Sequence, residues 1–218
     1  MNFTHIEKCD LSHLENQIFN TEGHIIIKPY NFFNSYTENE IKYFMYVYGI
    51  YVLPTTELIE TLKQIIIGKA IEIGAGNGAI GRELKIPITD SKMQDLPEIQ
   101  LVYKMTNQPT VKYASDIEKL DALKAIELYQ PDTVIGAFIT HKYNGIDGNM
   151  YGVQEEEILK KVKRYINIGN LSTHRTKPLL KLPHEQIYLH WMITRSNNQR
   201  DNRIFIFNQK EYELGPKS

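Results

Sequence analysis

Glu72-Ile73-Gly74-Ala75-Gly76-Asn77-Gly78 sets one carboxylate ahead of three glycines at alternate positions. These residue types suit ligand binding by backbone groups. Lys69-Ala70-Ile71, just before them, is short and apolar and reads as a buried strand, and Ala79 to Leu84, just after, can open a helix. Strand, glycine turn and helix start together present successive N–H groups to a ligand. Glycine is needed where a Cβ would block tight turning or close approach. Glu72 falls at the carboxyl end of the strand, where it can accept hydrogen bonds from a cationic or hydroxylated ligand.

These residues resemble the first motif of the class I S-adenosylmethionine (SAM) dependent methyltransferases, an acidic residue followed by x-Gly-x-Gly-x-Gly. Glu72, Gly74, Gly76 and Gly78 match it, with Ala75 inside the turn. Gly74, Gly76 and Ala79 also satisfy the dinucleotide fingerprint G-x-G-x-x-G/A. Glu72 discriminates between the two: near a diphosphate a carboxylate is unwelcome, whereas SAM carries an amino group and a sulfonium and no phosphate. Two alternatives stay open, an NAD(P)-dependent oxidoreductase and a SAM- or nucleotide-binding module without chemistry. The resemblance covers about residues 55–208. It implies methyl transfer from SAM to an acceptor, leaving S-adenosylhomocysteine.

Further positions follow from the resemblance by their order along the chain. Asp90 ends the expected second strand, where a carboxylate can take both ribose hydroxyls; Asp95 is a weaker candidate. Asp116, after the expected third strand, resembles the position that reads the adenine amino group, and it would also serve as a helix N-cap. The loop after the fourth strand, Ile139 to Asn144, should lie beside the methyl group. His141 is its candidate general base, and Tyr143 is a candidate acceptor contact. This loop lacks the Asn/Asp-Pro-Pro-Tyr/Phe signature of enzymes that methylate amino groups on nucleic acid bases and some proteins, so nucleic acid is not favoured. The loop after the fifth strand, Gly169 to Lys177, is polar and basic; His174, Arg175 and Lys177 are expected to close over a small, anionic acceptor. No histidine falls in HxxxH or HExxH spacing and the lone cysteine offers no thiolate set, so no bound metal is expected.

The elements that must position these groups alternate from Lys69 onward as strand and helix, the pattern of a parallel α/β sheet. Strands are expected at 69–73, 86–90, 110–114, 132–138, 165–168, 186–193 and 203–207, the last two as an antiparallel pair across a polar turn. The fold class is thus α/β, a Rossmann-like sheet of seven strands, mostly parallel, with a C-terminal antiparallel hairpin. Thr37-Glu38-Asn39-Glu40 is a capping-box pattern, and Pro54-Thr55-Thr56-Glu57 opens a second helix stopped at Gly68. Residues 1–54 are read as a helical N-terminal cover and 55–218 as the SAM-binding domain. Residues 92–110 read as a loop with a helical turn, and Glu155 to Arg164 as a helix with acid first and base last.

With 218 residues and a net charge of −1, no global field points to nucleic acid or an anionic membrane. A single cysteine, Cys9, fits a reducing, cytoplasmic setting, and no apolar run approaches the ~20 residues that cross a bilayer. The acceptor is expected to be a small molecule.

Overall fold

The computed structural model describes residues 6–142 and 151–210. In chain order its elements are helices α1 (Ser12–Ile18) and α2 (Glu38–Val47), strand β1 (Val52–Leu53), helix α3 (Thr56–Ile65), β2 (Ala70–Ile73), α4 (Ala79–Leu84), β3 (Thr89–Asp90), α5 (Pro97–Met105), β4 (Glu118–Lys119), α6 (Ala122–Tyr129), β5 (Thr133–Ala137), α7 (Glu155–Leu159), β6 (Arg164–Asn170), α8 (Leu171–His174), β7 (Glu185–Ile187), β8 (Ile193–Thr194) and β9 (Asn202–Asn208). The central sheet has five strands in the order β2-β5-β6-β9-β7. β2, β5 and β6 are parallel, β9 runs antiparallel to β6 over seven residue pairs, and β7 is antiparallel to β9.

β3 and β4 form a separate parallel pair. It stands beside β2: Glu72 bridges Ile88, the Glu72 N–H donates to the Pro87 carbonyl at 2.9 Å, and the Thr89 hydroxyl donates to the Glu72 carbonyl at 2.9 Å. The α/β class expected from the alternation is what the chain forms. The sheet itself differs from expectation, with five mixed strands where seven mostly parallel ones were expected. Pro87, lacking an N–H, shortens the second expected strand to Thr89–Asp90. Thr110 to Ala114 stays outside any strand; the Val111 N–H is taken by the Gln94 side chain at 2.8 Å, and pairing begins only at Glu118. The expected strand 186–193 splits. Glu185–Ile187 joins β9, while Ile193–Thr194 leaves to pair with β1. The helix from Glu155 stops at Leu159, because Arg164 already begins β6.

Alternation along the sheet strands explains why helices cover both faces. Val134, Tyr165, Phe205 and Phe207 face a core shared with α6 and α7. Ile135, Ile166, Ile168, Ile204 and Ile206 face a second core with Leu58, Ile59 and Leu62 of α3 and Ile80 of α4. A third cluster gathers Leu14, Ile18, Phe44, Met45, Ile50 and Leu53 from the N-terminal segment. α2 starts where the capping box puts it: the Glu40 N–H donates to the Thr37 hydroxyl at 3.2 Å and the Thr37 N–H donates to the Glu40 carboxylate at 2.7 Å. The 92–110 segment is more ordered than expected, with a 3-10 turn at Met93–Asp95 and then α5, whose Leu101, Val102 and Met105 are exposed.

Candidate cofactor and active site

The glycine turn leaves β2 and enters α4, as the sequence requires. Gly74, Gly76 and Gly78 have φ of 53°, 59° and 73°, the left-handed region that favours glycine. At Gly74 a Cβ would also stand 2.4 Å from the Ile139 Cδ1. At Gly76 the nearest atom to a Cβ is a Val111 methyl 3.7 Å away, so there the conformation alone demands glycine.

Two carboxylates hold this turn. Asp90 Oδ2 accepts the Gly76 N–H at 2.9 Å and Oδ1 accepts the Lys92 N–H at 2.7 Å. Burial pushes Asp90 above the ordinary carboxylate range, and the two N–H groups, with the Tyr113 hydroxyl, pull against it. Glu72 is 1% exposed, and its Oε2 accepts the Gly81 N–H at 2.7 Å. Burial pushes Glu72 up to about 8; the Gly81 N–H opposes the shift and the neighbouring Asp90 adds to it. Both carboxylates thus accept backbone N–H groups of the turn and its flanks, and burial favours the neutral form of each.

A cavity opens in front of the turn. Its walls are Glu72 and Gly74 to Asn77, then Asp90, Ser91, Met93 and Gln94, then Val111 and Tyr113, Asp121 and Ala122, Ala137 to Thr140, Gly152 and Val153, with Gly49, Tyr51, Val52 and Pro54 from the N-terminal side. Glu72, Asp90 and Asp121 contribute three acids, and no Lys, Arg or His lines it among the described residues. Phe138 in this wall has φ 52°, a conformation that costs an aromatic residue about 1–3 kcal/mol. Its N–H donates to the Ile168 carbonyl at 2.9 Å, which fixes it between β5 and β6.

Of the residues singled out from the sequence, Glu72, Gly74, Ala75, Gly76 and Asp90 meet in this cavity, and Gly78 caps α4 just behind it. Asp116 does not line it. With pairing shifted to Glu118–Lys119, Asp116 lies before the strand and binds Arg82 through both oxygens, each at 2.8 Å. The residue that follows the strand, caps α6 and lines the cavity is Asp121, whose Oδ1 accepts the Leu123 N–H at 3.0 Å. Tyr143 lies outside the described residues.

His141 is 6% exposed and is not in the cavity wall, although its neighbour Thr140 is. Its Nδ1 lies 3.2 Å from Glu155 Oε2, and its Nε2 lies 3.9 Å from Glu156 Oε2. A backbone bridge to Val153 fixes the segment. Glu155 is fully buried. Besides His141 it meets the Lys177 ammonium at 2.8 Å, the Tyr165 hydroxyl at 2.7 Å and the Asn167 amide at 2.7 Å. Burial raises the Glu155 pKa, but Lys177, His141 and Tyr165 together outweigh it and hold the group below its ordinary value.

Two of the three basic residues in the segment expected as a loop over the acceptor therefore point inward. Lys177 is 5% exposed and spends its charge on Glu155. His174 is buried in α8, its Nδ1 accepts the Asn170 N–H at 3.0 Å, and burial with the Lys177 charge drives its pKa down to about 3. Of the three, Arg175 is exposed. Tyr113, Asp121 and Phe138 were not singled out. Asp121 offered a readable signal, a helix N-cap ahead of an apolar run; the aromatic residues reach the cavity only through tertiary contacts.

Three comparisons with known proteins bear on the chain. No protein-family model matches it, and no curated protein is similar in sequence. Solved structures similar to it include a tRNA (uracil-54, C5)-methyltransferase of Pyrococcus abyssi in complex with S-adenosylhomocysteine, at 11% identity and TM-score 0.35 over 69% of this chain. This chain spans only 36% of that protein's length. A magnesium protoporphyrin IX methyltransferase of Synechocystis with bound SAM is similar at 13% identity and TM-score 0.35, over 93% of this chain and 98% of that one. A SAM-dependent methyltransferase of Thermotoga maritima is similar at 13% identity and TM-score 0.34, over 83% and 97%. At these TM-scores the function rests on the chain's own residues. Among the described residues no helix is long and apolar enough to cross a membrane, and no three His, Cys, Asp or Glu side chains gather as a metal site.

Proposed function

We propose that the protein is a SAM-dependent methyltransferase acting on a small acceptor. The observation that carries this reading is the make-up of the cavity: three acidic side chains and no basic one line it among the described residues, around a glycine turn of left-handed residues. A dinucleotide would bring two phosphate charges into a cavity lined by acids, with no basic side chain among the described residues to offset them, which is unfavourable at short range. SAM brings a sulfonium and an ammonium, and Glu72 and Asp90 are placed to offset them. The residues present therefore fit this cofactor.

Bound SAM would supply an electrophilic methyl carbon, transferred to the acceptor's lone pair as its bond to sulfur breaks and S-adenosylhomocysteine is left. The chain's residues bind and orient. Glu72, with Oε2 on Gly81, keeps Oε1 for the amino group of the methionine part. Asp90 meets two backbone N–H groups and the Tyr113 hydroxyl, and its remaining lone-pair position would take a ribose hydroxyl. Asp121, in place of Asp116, faces the adenine edge. Phe138 to Thr140 form the wall beside the methyl group, and His141 holds that wall through Glu155. Rate enhancement then comes from proximity and alignment, which suffice where the acceptor enters without a proton to lose.

The β3–β4 pair beside β2 fits the same reading, since with it the strands take the order β4-β3-β2-β5-β6-β9-β7, in which β9 alone runs antiparallel to the others. Residues 1–54 act as a cover, supported by Gly49, Tyr51, Val52 and Pro54 in the cavity wall. The test is a thermal-shift panel. SAM and S-adenosylhomocysteine should raise the melting temperature by several degrees and NAD and NADP should not. Stabilisation by NAD or NADP alone would reverse the reading in favour of an oxidoreductase.

A further inference from the structure

Phe138 is held in a conformation that bulky side chains avoid. Its φ of 52° falls in the left-handed region that Gly74, Gly76 and Gly78 occupy in the same part of the molecule, yet the residue is an aromatic. Glycine would adopt this backbone freely. The backbone itself is fixed where β5 ends, by the bond from the Phe138 N–H to the Ile168 carbonyl at 2.9 Å. What phenylalanine adds to that position is its ring. The ring is half-buried, forms part of the cavity wall, and meets the His174 ring in a T-shaped contact with centroids 5.1 Å apart.

Tyr51 brings a second ring to the same wall. It directly precedes β1, β1 pairs with β8, and just after β8 the Arg195 N–H donates to the Tyr51 carbonyl at 3.0 Å. The Arg195 guanidinium lies 4.8 Å from the Tyr51 ring centroid, within cation–π range, and the Tyr51 and Tyr103 hydroxyls are 3.3 Å apart. These contacts set the Tyr51 ring before any ligand arrives. Its centroid lies 6.1 Å from that of Phe138, with the two planes 30° apart. Both rings are half-buried and both line the cavity, so each offers surface to a bound molecule. A flat ring entering beside this tilted pair would meet one partner by its face and the other by its edge, the arrangements that aromatic pairs prefer.

We infer that Phe138 and Tyr51 form the platform on which the methyl acceptor lies, and that they set its class: a planar aromatic molecule without negative charge. This inference rests on the methyltransferase reading, which sets the methyl group beside Phe138. Backbone strain persists where the surroundings over-determine it, and it gathers at the walls of functional sites. The three acidic side chains that share the cavity disfavour an anion. A ring that only filled space would be indifferent to whether its neighbour is aromatic or saturated, and this separates a platform from simple packing.

The test is ligand-detected NMR on the full chain with phenol, cyclohexanol and benzoate as probes. S-adenosylhomocysteine binding is titrated first, so failure to load counts against the cofactor reading; the probes are then run on loaded and unloaded chain alike, so the platform is tested in either case. Phenol and cyclohexanol share a hydroxyl and a ring size and differ in the aromatic face. Phenol should bind roughly fivefold or more tightly than cyclohexanol, and benzoate should bind more weakly than phenol. In Phe138→Leu the preference for phenol over cyclohexanol should fall to about twofold or less. Should that variant fail to fold, Phe138→Gly, free of the left-handed strain, reads the same ratio. Equal binding of phenol and cyclohexanol, benzoate binding as tightly as phenol, no phenol binding, or a variant that keeps the wild-type preference would each overturn the platform.

Discussion

Glu72 sits where its surroundings favour the neutral form. Burial lifts it to about 8 from an ordinary 4.5. The unfolded chain therefore loses the proton first as pH rises. The stability linked to Glu72 is complete below pH 4.5 and drains away as pH climbs to 8. Glu72→Gln, which cannot ionise, should match the wild type in melting temperature at low pH and exceed it by several degrees at about pH 9. A pH-independent difference between the two would contradict this environment. The same residue makes a second expectation for the ligand. A cation beside Glu72 lowers its pKa, so SAM binding at neutral pH should release a proton, seen as a dependence of binding heat on buffer ionisation enthalpy and lost in Glu72→Gln. At this scale the sequence was informative where chemistry depends on neighbours in the chain: Glu72, the three glycines and Asp90. It misled at Asp116, because a short strand had slid along the chain, and at Lys177 and His174, whose polarity suggested solvent although both pack inside.

The elements around Glu155 account for that inward turn. Glu155 on α7 joins the segment after β5 through His141, β6 through Tyr165 and Asn167, and the segment after α8 through Lys177. Two of these reach the cavity wall: His141 directly follows Thr140, and β6 accepts the Phe138 N–H at Ile168. Removing one partner strands a buried charge, so Glu155→Gln should cost about 3–5 kcal/mol in denaturant unfolding. Glu155→Gln combined with Lys177→Met should recover part of the loss, because the stranded ammonium is then gone. A single-variant cost below about 1 kcal/mol would show the network to be peripheral. Helices with local signals were legible in the sequence: α2 from its capping box and α3 from Thr55. Short strands were not, since a two-residue strand such as β4 or β8 carries no periodicity and is set by what its partner offers. The 92–110 segment hid α5 because Leu101, Val102 and Met105 face outward and break the expected apolar pattern.

Across the whole molecule, a five-stranded mixed sheet with cores on both faces carries the glycine turn at the carboxyl end of β2, and a third core anchors the N-terminal segment against the same cavity. The α/β class was readable because long-range order follows from alternating apolar runs and helical stretches. The sheet's edges were not, because they depend on which short segments find partners. The direct measurement of the central claim is equilibrium dialysis of the full chain with radiolabelled SAM. One equivalent should be retained, displaced by S-adenosylhomocysteine and unaffected by excess NAD. Label that is not retained, or that excess NAD removes, would contradict an acid-lined cradle built for a phosphate-free cation.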